Sequence, residues 1–302
     1  MATNNFKPFA IGSGANVLSQ ADYESLGALS SGFQAGKASS AQINKALRQG
    51  AVMASILAQF IADSSGNDVL DNGNTAAILA SLKSGLLSAS LGRLLRPPVI
   101  LLSSGTYTPG AGTKSIIVEV QGAGGGGGGV GATSASTVAV ASGGSGGAYA
   151  KSYLTNLSAS YAVTIGAPGS GGVNGSGGNA GSTTFGSIIT CGGGFGGGSG
   201  TSAPPIIQNA TGIPTASGGN IENISGQGAV IGMAISLNAI ISGGGGGSPL
   251  GAGGGSHGTA AAGFAASGYG AGGGGANAYA SNSTQYNGAA GSNGVVIVWE
   301  YA

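Results

Sequence analysis

The sequence predicts an α+β protein of two parts: a small helical N-terminal part over residues 1–96 and a glycine-rich all-β domain over 97–302. Three observations carry this. Twelve of the seventeen Lys, Arg, Asp and Glu residues lie in 1–96, leaving five for the remaining 206 positions. Glycine runs the other way, with ten of 67 before residue 105. The apolar spacing also changes near Arg96-Pro97-Pro98, from intervals of three and four residues to short β-branched segments.

In the helical part, Ser19 followed by Asp22 is a cap for a short helix. Ser39 followed by Gln42 is a capping-box start for a longer one. Ile43, Leu47, Ala51, Ala54, Leu57 and Ile61 then recur as one apolar stripe, and Asp63-Ser64-Ser65-Gly66 closes the helix. Asn74 caps a third helix through "TAAILASLKSGLL". Roughly 90 residues with few aromatics make a small core, because surface-to-volume scaling disfavours short chains. The stripe is therefore buried either within a self-contained helical domain or against other copies of the chain.

In the second part, strands are expected near 99–103, 115–120, 148–155, 160–165, 183–191, 228–236 and 294–301. "VVIVWEY" at 295–301 is the strongest. It is expected in the middle of a sheet with Trp299 in the core. The single Cys191, in "FGSIITC", reads as a small apolar strand residue. One cysteine excludes an internal disulfide framework.

The glycine between these strands has three readings. Flexible linkers are glycine-rich, but disorder usually comes with charge or abundant Ser, Gln and Pro. Collagen needs glycine at every third position, which is not kept here, and a calcium-binding repeat needs Asp, absent after Asp71. The third reading is a packed domain of polyglycine segments in a polyproline-II-like conformation. Such segments have outward-pointing N–H and C=O groups, and without side chains they can approach and bond to one another. This is the expectation. It must offset the high ordering entropy of glycine, through many bonds between runs or a rigid β frame.

Two lookalike motifs fail on mechanism. "SIIVEVQGAGGGGGGVG" contains G-x-G-x-x-G after a strand, as in a dinucleotide-binding turn. No helical period follows, however, and the next acidic residue after Glu119 is Glu222. "PGAGTKS" lacks the glycine–lysine adjacency of a phosphate loop and runs into a strand. A net charge of +1 gives no electrostatic case for nucleic acid. The start "MATNNFKPFA" has no signal-peptide core, and no stretch approaches the roughly 18–20 apolar residues of a membrane span. Assembly in a cytoplasm, without membrane embedding, is the expectation.

"NNFKPFAIGSGANVLSQADYESL" and "GKASSAQINKALRQGAVMASILAQF" resemble the start of tail-fibre proteins of tailed bacteriophages and prophages. "SGTYTPGAGTKSIIVEVQGAGGGGGG", "GGAYAKSYL" and "NGVVIVWEY" resemble the glycine-rich domain that ends many of them. The resemblance implies a virion protein, commonly a homotrimer. Its N-terminal part would attach to other tail proteins and its C-terminal part would contact a receptor, protein or polysaccharide, on the bacterial surface.

Some tail proteins cut polysaccharide, which typically needs two facing carboxylates. Beyond residue 97 only Glu119, Glu222 and Glu300 are available. Glu119 and Glu300 read as structural, with Lys114 or Lys151 as the expected partner of Glu300. His257 is the only histidine, sits in a glycine loop and cannot build a zinc site alone. The expectation is therefore a binder without catalytic residues, cofactor or metal; a purely structural tail component and a depolymerase are the alternatives. Candidate receptor-binding residues are those that interrupt the glycine: Phe195, His257, Phe264, Tyr269, Tyr279 and Tyr286. Tyrosine among Gly, Ser and Asn is a recognition vocabulary, though the same aromatics could instead cover the ends of the glycine layers as a minor core. The stretch 202–228, stiffened by Pro204, Pro205 and Pro214, is a second candidate surface.

Overall fold

The computed structural model describes residues 2–33, 39–89 and 92–302. The chain divides into two compact units, one ending at Arg93 and the other running from Leu94 to Tyr301.

The helical unit follows its caps. Ser19 caps the helix Gln20–Glu24, and Ser39 with Gln42 forms both bonds of a capping box on Ser40–Ser65, which ends on Gly66 in the left-handed region. Asn74 Oδ1 accepts from the Ala77 N–H at 3.1 Å, and the helix Thr75–Ala89 follows. A one-turn helix, Ala28–Ser31, has no counterpart in the sequence expectations. The two long helices meet at Gly85, where a Cβ would strike Ser64. The core is Ala58, Ile61, Ala62 and Val69, with Phe6, Ile78 and Leu82 packed on it. Only the end of the apolar stripe, Ile61, is buried in this unit. Ile43, Leu47 and Leu57 remain 40%, 54% and 51% exposed.

The second unit begins as a β-sandwich of two five-stranded antiparallel sheets. One runs Val99–Leu101, Val295–Tyr301, Ser115–Gln121, Tyr149–Leu154, Glu222–Ile224. The other runs Ala216–Ser217, Ile189–Cys191, Thr183–Phe185, Tyr161–Thr164, Gly105–Tyr107. The terminal strand lies inside its sheet, pairing with Val99–Leu101 on one side and Ser115–Gln121 on the other. Its alternation turns Val296, Val298 and Glu300 inward, so Trp299, expected in the core, is half-buried on the outer face opposite Ile117. Between the sheets pack Val118, Val120, Val163, Ile189 and a stack of Tyr107, Phe185 and Tyr161, with the last two centroids 4.6 Å apart. Such ring pairs add about 0.5–1.5 kcal/mol beyond the area they bury. Cys191 is buried among them, and burial pushes its thiol up to about 12. The expected single strand 183–191 is a hairpin instead, turning at Gly186 with φ +55°.

Sandwich strands continue directly into glycine runs. Ser115–Gln121 leads into 122–130, 142–148 leads into Tyr149–Leu154, and Ile189–Cys191 leads into 192–198. The hydrogen bonds of 122–130 repeat every three residues. Gly124, Gly127 and Val130 donate to the carbonyls of Ser292, Ala289 and Tyr286. Gly125 and Gly128 donate to Ser145 and Ser142, and Gly126 and Gly129 to Gly178 and Gly175. A step of three forward on this run is a step of three backward on each neighbour. Its carbonyls accept from three further segments, for example Gly124 and Gly127 from the N–H groups of Gly169 and Gly172. Six segments thus surround one run.

The approach leaves no room for side chains. A Cβ on Gly124, Gly125, Gly126 or Gly127 would fall on the carbonyl of Ala271, Phe195, Ser170 or Gly274. Where one residue in three does carry a side chain it is small and used. In "SGGSGGA", 142–148, Ser142 Oγ and Ser145 Oγ accept from the N–H groups of Gly198 and Phe195, each at 2.8 Å. At the end away from the sandwich, the sheet Asn277–Ala278, Val138–Ala141, Ser199–Ser202 packs on the sheet Ile206–Gln208, Gly232–Ser236, Ala239–Ile241.

One charged residue lies inside the sandwich. Glu300 is 1% exposed. Its Oε1 accepts from Arg96 Nη2 at 2.5 Å, the Tyr107 hydroxyl at 2.6 Å and the Gly110 N–H at 3.2 Å. The expected partners, Lys114 and Lys151, are both replaced. Lys151 stands opposite Glu119 on the outward face and pairs with it at 3.3 Å, whereas Glu300 faces inward towards Arg96. Arg96, placed with the helical part on composition, thus belongs to the β unit. Burial pushes the Glu300 carboxyl up, but its bonds to Arg96, Tyr107 and Gly110 outweigh this and hold it below its ordinary value.

The packing can be tested at two places. Gly127→Ala should lower the melting temperature sharply, by about 3 kcal/mol or more of stability, since backbone must move to admit a methyl group. Gly175→Ala, at a site with only the Val173 carbonyl nearby, should be neutral or slightly stabilising. Equal melting of the two variants by calorimetry would contradict the packed runs. At the carboxylate, Arg96→Ala should cost about 2 kcal/mol, the scale of a hydrogen bond to a charged group, because a buried carboxylate loses its guanidinium. Since the folded carboxyl titrates below its unfolded value, its stabilisation is present above about pH 4.3 and is lost as pH falls through the folded value. Acid denaturation curves of wild type and Arg96→Ala should therefore converge at low pH.

Candidate functional site

The six aromatic and histidine candidates occupy several separate places. Three of them meet. The segment 253–264 folds over 270–279, tied by Gly274 N–H to Phe264 O at 2.9 Å and by a bridge between Ala261 and Asn277. His257 is held at both backbone groups: its N–H donates to Ser242 Oγ, and its carbonyl accepts from Ser242 N–H and Asn277 Nδ2. Its Nδ1 lies 2.8 Å from the Thr259 carbonyl, which can only accept, so Nδ1 carries a proton, and Nε2 is buried without a hydrogen-bond partner among the described residues. The Phe264 ring stands 4.9 Å from the imidazole at 52° and is 52% exposed. The Tyr279 hydroxyl donates to the Gly258 carbonyl at 2.7 Å.

The other three are elsewhere. Tyr286 exchanges both backbone bonds with Val130 and packs on Val130, Ala139, Ala141, Ala276 and Ala278, so it belongs to a small apolar cluster. Tyr269 is held by Leu250 near the sandwich, where the neighbouring Gly270 accepts from Gly147. Phe195 lies on the flank of 192–198, 38% exposed, against Gly212. The outer face of the far three-stranded sheet, where Ile207, Met233 and Ile241 stand in one cross-strand row beside Ile235, is a further apolar surface outside the predicted candidates. The apolar alternation of Gly232–Ser236 was its only signal. The stretch 202–228 contributes strands to three different sheets and exposes Ile213 and Ile221.

Of these surfaces only 202–228 carries an acidic or basic side chain of Asp, Glu, Lys or Arg, the exposed Glu222. Beyond Arg96 the charged residues are Lys114, Glu119, Lys151, Glu222 and Glu300. Glu119 is bonded to Lys151 and to the Tyr149 hydroxyl at 3.1 Å, and Glu222 stands opposite Lys151. The His257–Phe264–Tyr279 cluster can therefore offer ring area, chiefly that of Phe264, and the Tyr279 hydroxyl as an acceptor, with no acidic or basic side chain of Asp, Glu, Lys or Arg beside it. Among the described residues no helix is long and apolar enough to cross a membrane. Comparison with protein-family models finds no match, and comparison with curated proteins finds none either.

The two kinds of aromatic should behave differently. Tyr286→Ala should cost about 2 kcal/mol, less than the cost of truncating a fully buried aromatic, because the ring is partly exposed. Phe264→Ala should stay within about 0.5 kcal/mol. Thermal melts of the two variants give the comparison, and early melting of Phe264→Ala would make that ring core.

Proposed function

We propose that this chain is a tail-fibre protein of a tailed bacteriophage or prophage, and that its glycine-rich unit binds a bacterial surface receptor during adsorption. The observation that supports this best is the pairing of a closely packed glycine lattice with aromatic residues at its margin: Phe264 exposed, His257 and Tyr279 half-buried, Tyr279 also packing on Val138, Val140 and Ile240. A lattice whose backbone groups are already bonded to one another presents His257, Phe264 and Tyr279 with little ordering left to lose on binding. The resemblance of both ends of the sequence to tail-fibre proteins points the same way.

The proposal includes the conformation of the runs. We read them as polyproline-II-like, supported by the three-residue repeat of bonds to six neighbours. It also includes assembly. Ile43, Leu47, Ala54 and Leu57 lie at four-, seven- and three-residue spacings on one 26-residue helix and are left uncovered or nearly so, which suits burial against copies of the same helix. Three copies, with the N-terminal part joined to other tail proteins, is our reading. The function needs no chemistry. Glu300 is sequestered and Glu119 is bonded to Lys151 and Tyr149.

Purified full-length protein, added before phage, should block adsorption to host cells, and light scattering should give a trimer mass. Binding should change little with salt, because no charged pair steers it. Phe264→Ala and Tyr279→Ala should weaken blocking about tenfold or more if they are hot spots. Protein that neither binds cells nor competes with phage would leave a purely structural role.

A further inference from the structure

On the second sandwich sheet, Thr184 stands opposite Thr190 and Thr190 opposite Ser217, so three hydroxyl-bearing residues line up across adjacent strands. Thr190 is exposed between buried Ile189 and Cys191. Where these strands pass into glycine runs, the surface sinks into a groove of about 460 Å³. It is lined by Gly192 and Gly193, by Asn179 and Ser182, by Pro214, Thr215 and Ser217, and by Phe195.

Several polar groups of this groove lack protein partners. Along 192–198 nearly every backbone N–H and C=O group is bonded. Gly192 donates to Thr215, Gly194 to Ala123 and Gly197 to Gly126, while Phe195 donates to Ser145 Oγ and Gly196 to Asn179 Oδ1. Gly193 alone on this run has both its N–H and its C=O without a partner among the described residues. Asn179 uses its oxygen on Gly196. Among the described residues no protein bond is made by its Nδ2 or by the hydroxyls of Thr190, Thr215 and Ser217. No ionisable side chain lines the groove.

We propose that this groove binds one neutral sugar unit of a polysaccharide, an inference that rests on the receptor-binding reading and names its ligand chemistry. Sugar hydroxyls both donate and accept, matching an unpaired N–H, an unpaired C=O, an amide and several hydroxyls gathered in one hollow. The apolar C–H face of a pyranose fits Phe195 and Pro214. A phosphate or carboxylate ligand would find no counter-charge here, and a peptide would need pockets for alternate side chains.

Saturation-transfer NMR on the full-length protein tests this, using the methyl glycosides of glucose, galactose, mannose, N-acetylglucosamine and rhamnose as probes. At least one glycoside should receive saturation, with a Kd on the order of millimolar for a ligand of that size. Thr190→Trp, which fills the groove from an exposed position, and Phe195→Ala should each weaken it about tenfold with unchanged melting. Saturation of none of the five, or undiminished saturation in Thr190→Trp, overturns the proposal. Cell binding by the same proteins separates the two readings. Wild type and Thr190→Trp binding cells equally, with no glycoside bound, removes the groove and keeps the receptor role. A glycoside bound by a protein that ignores cells does the reverse.

Discussion

Contact between bare backbones is the interaction on which the second unit depends. Around 122–130 a carbonyl of a neighbouring run occupies the space that a Cβ would take, and N–H groups meet carbonyls every third residue. Lateral bonds of this kind satisfy groups that a helix would satisfy internally and a sheet within its plane. The cost is entropic, since glycine loses more freedom on ordering than any other residue. The strands offset it. Runs that begin or end on sandwich strands continue strands whose register is set by the apolar core of Val118, Val298, Phe185 and Ile189, which supplies the alignment that segments without side chains cannot supply themselves.

The charged residues serve the same frame. Glu300 reaches inward on a strand that otherwise buries valine, and Arg96, Tyr107 and Gly110 converge on it from the start of the unit. The beginning and the end of the β unit are thereby joined at one carboxylate. Glu119 and Lys151 sit on the opposite face, in register across two strands. With these pairs in the frame, the glycine-rich loops around His257, Phe264 and Tyr279 carry no Asp, Glu, Lys or Arg, and their recognition chemistry reduces to rings, hydroxyls, amides and open backbone.

What the sequence disclosed depended on how local each signal was. The helix caps at Ser19, Ser39 and Asn74 act within a few residues and were legible. So were the long strands at 115–121 and 295–301. Strands such as Val138–Ala141 and Ser199–Ser202 were not, because alanine, serine and glycine carry little β signal and pair only once the runs are packed. Trp299 was misplaced because a nearly continuous apolar strand hides its own alternation, and only the inward Glu300 settles the parity. Of the site, the aromatics could be found by type but not sorted. Tyr286 and Phe264 look alike in sequence, and one is held by Val130 while the other stands exposed beside His257. The groove over Gly193 could not be read at all, since it is defined by bonds that are not made.

The three-residue ladder of 122–130 has a consequence for how order is recognised. These residues belong to no helix or extended strand, so circular dichroism would count them with the unfolded fraction and side-chain probes would find almost nothing there to watch. Yet they are fully buried, and every amide N–H but that of Ala123 donates to a neighbouring segment. Amide hydrogen exchange would rank them with the sandwich strands, among the last protons to leave. In this protein the spectroscopic signature of coil and the physical state of a solid interior belong to the same residues.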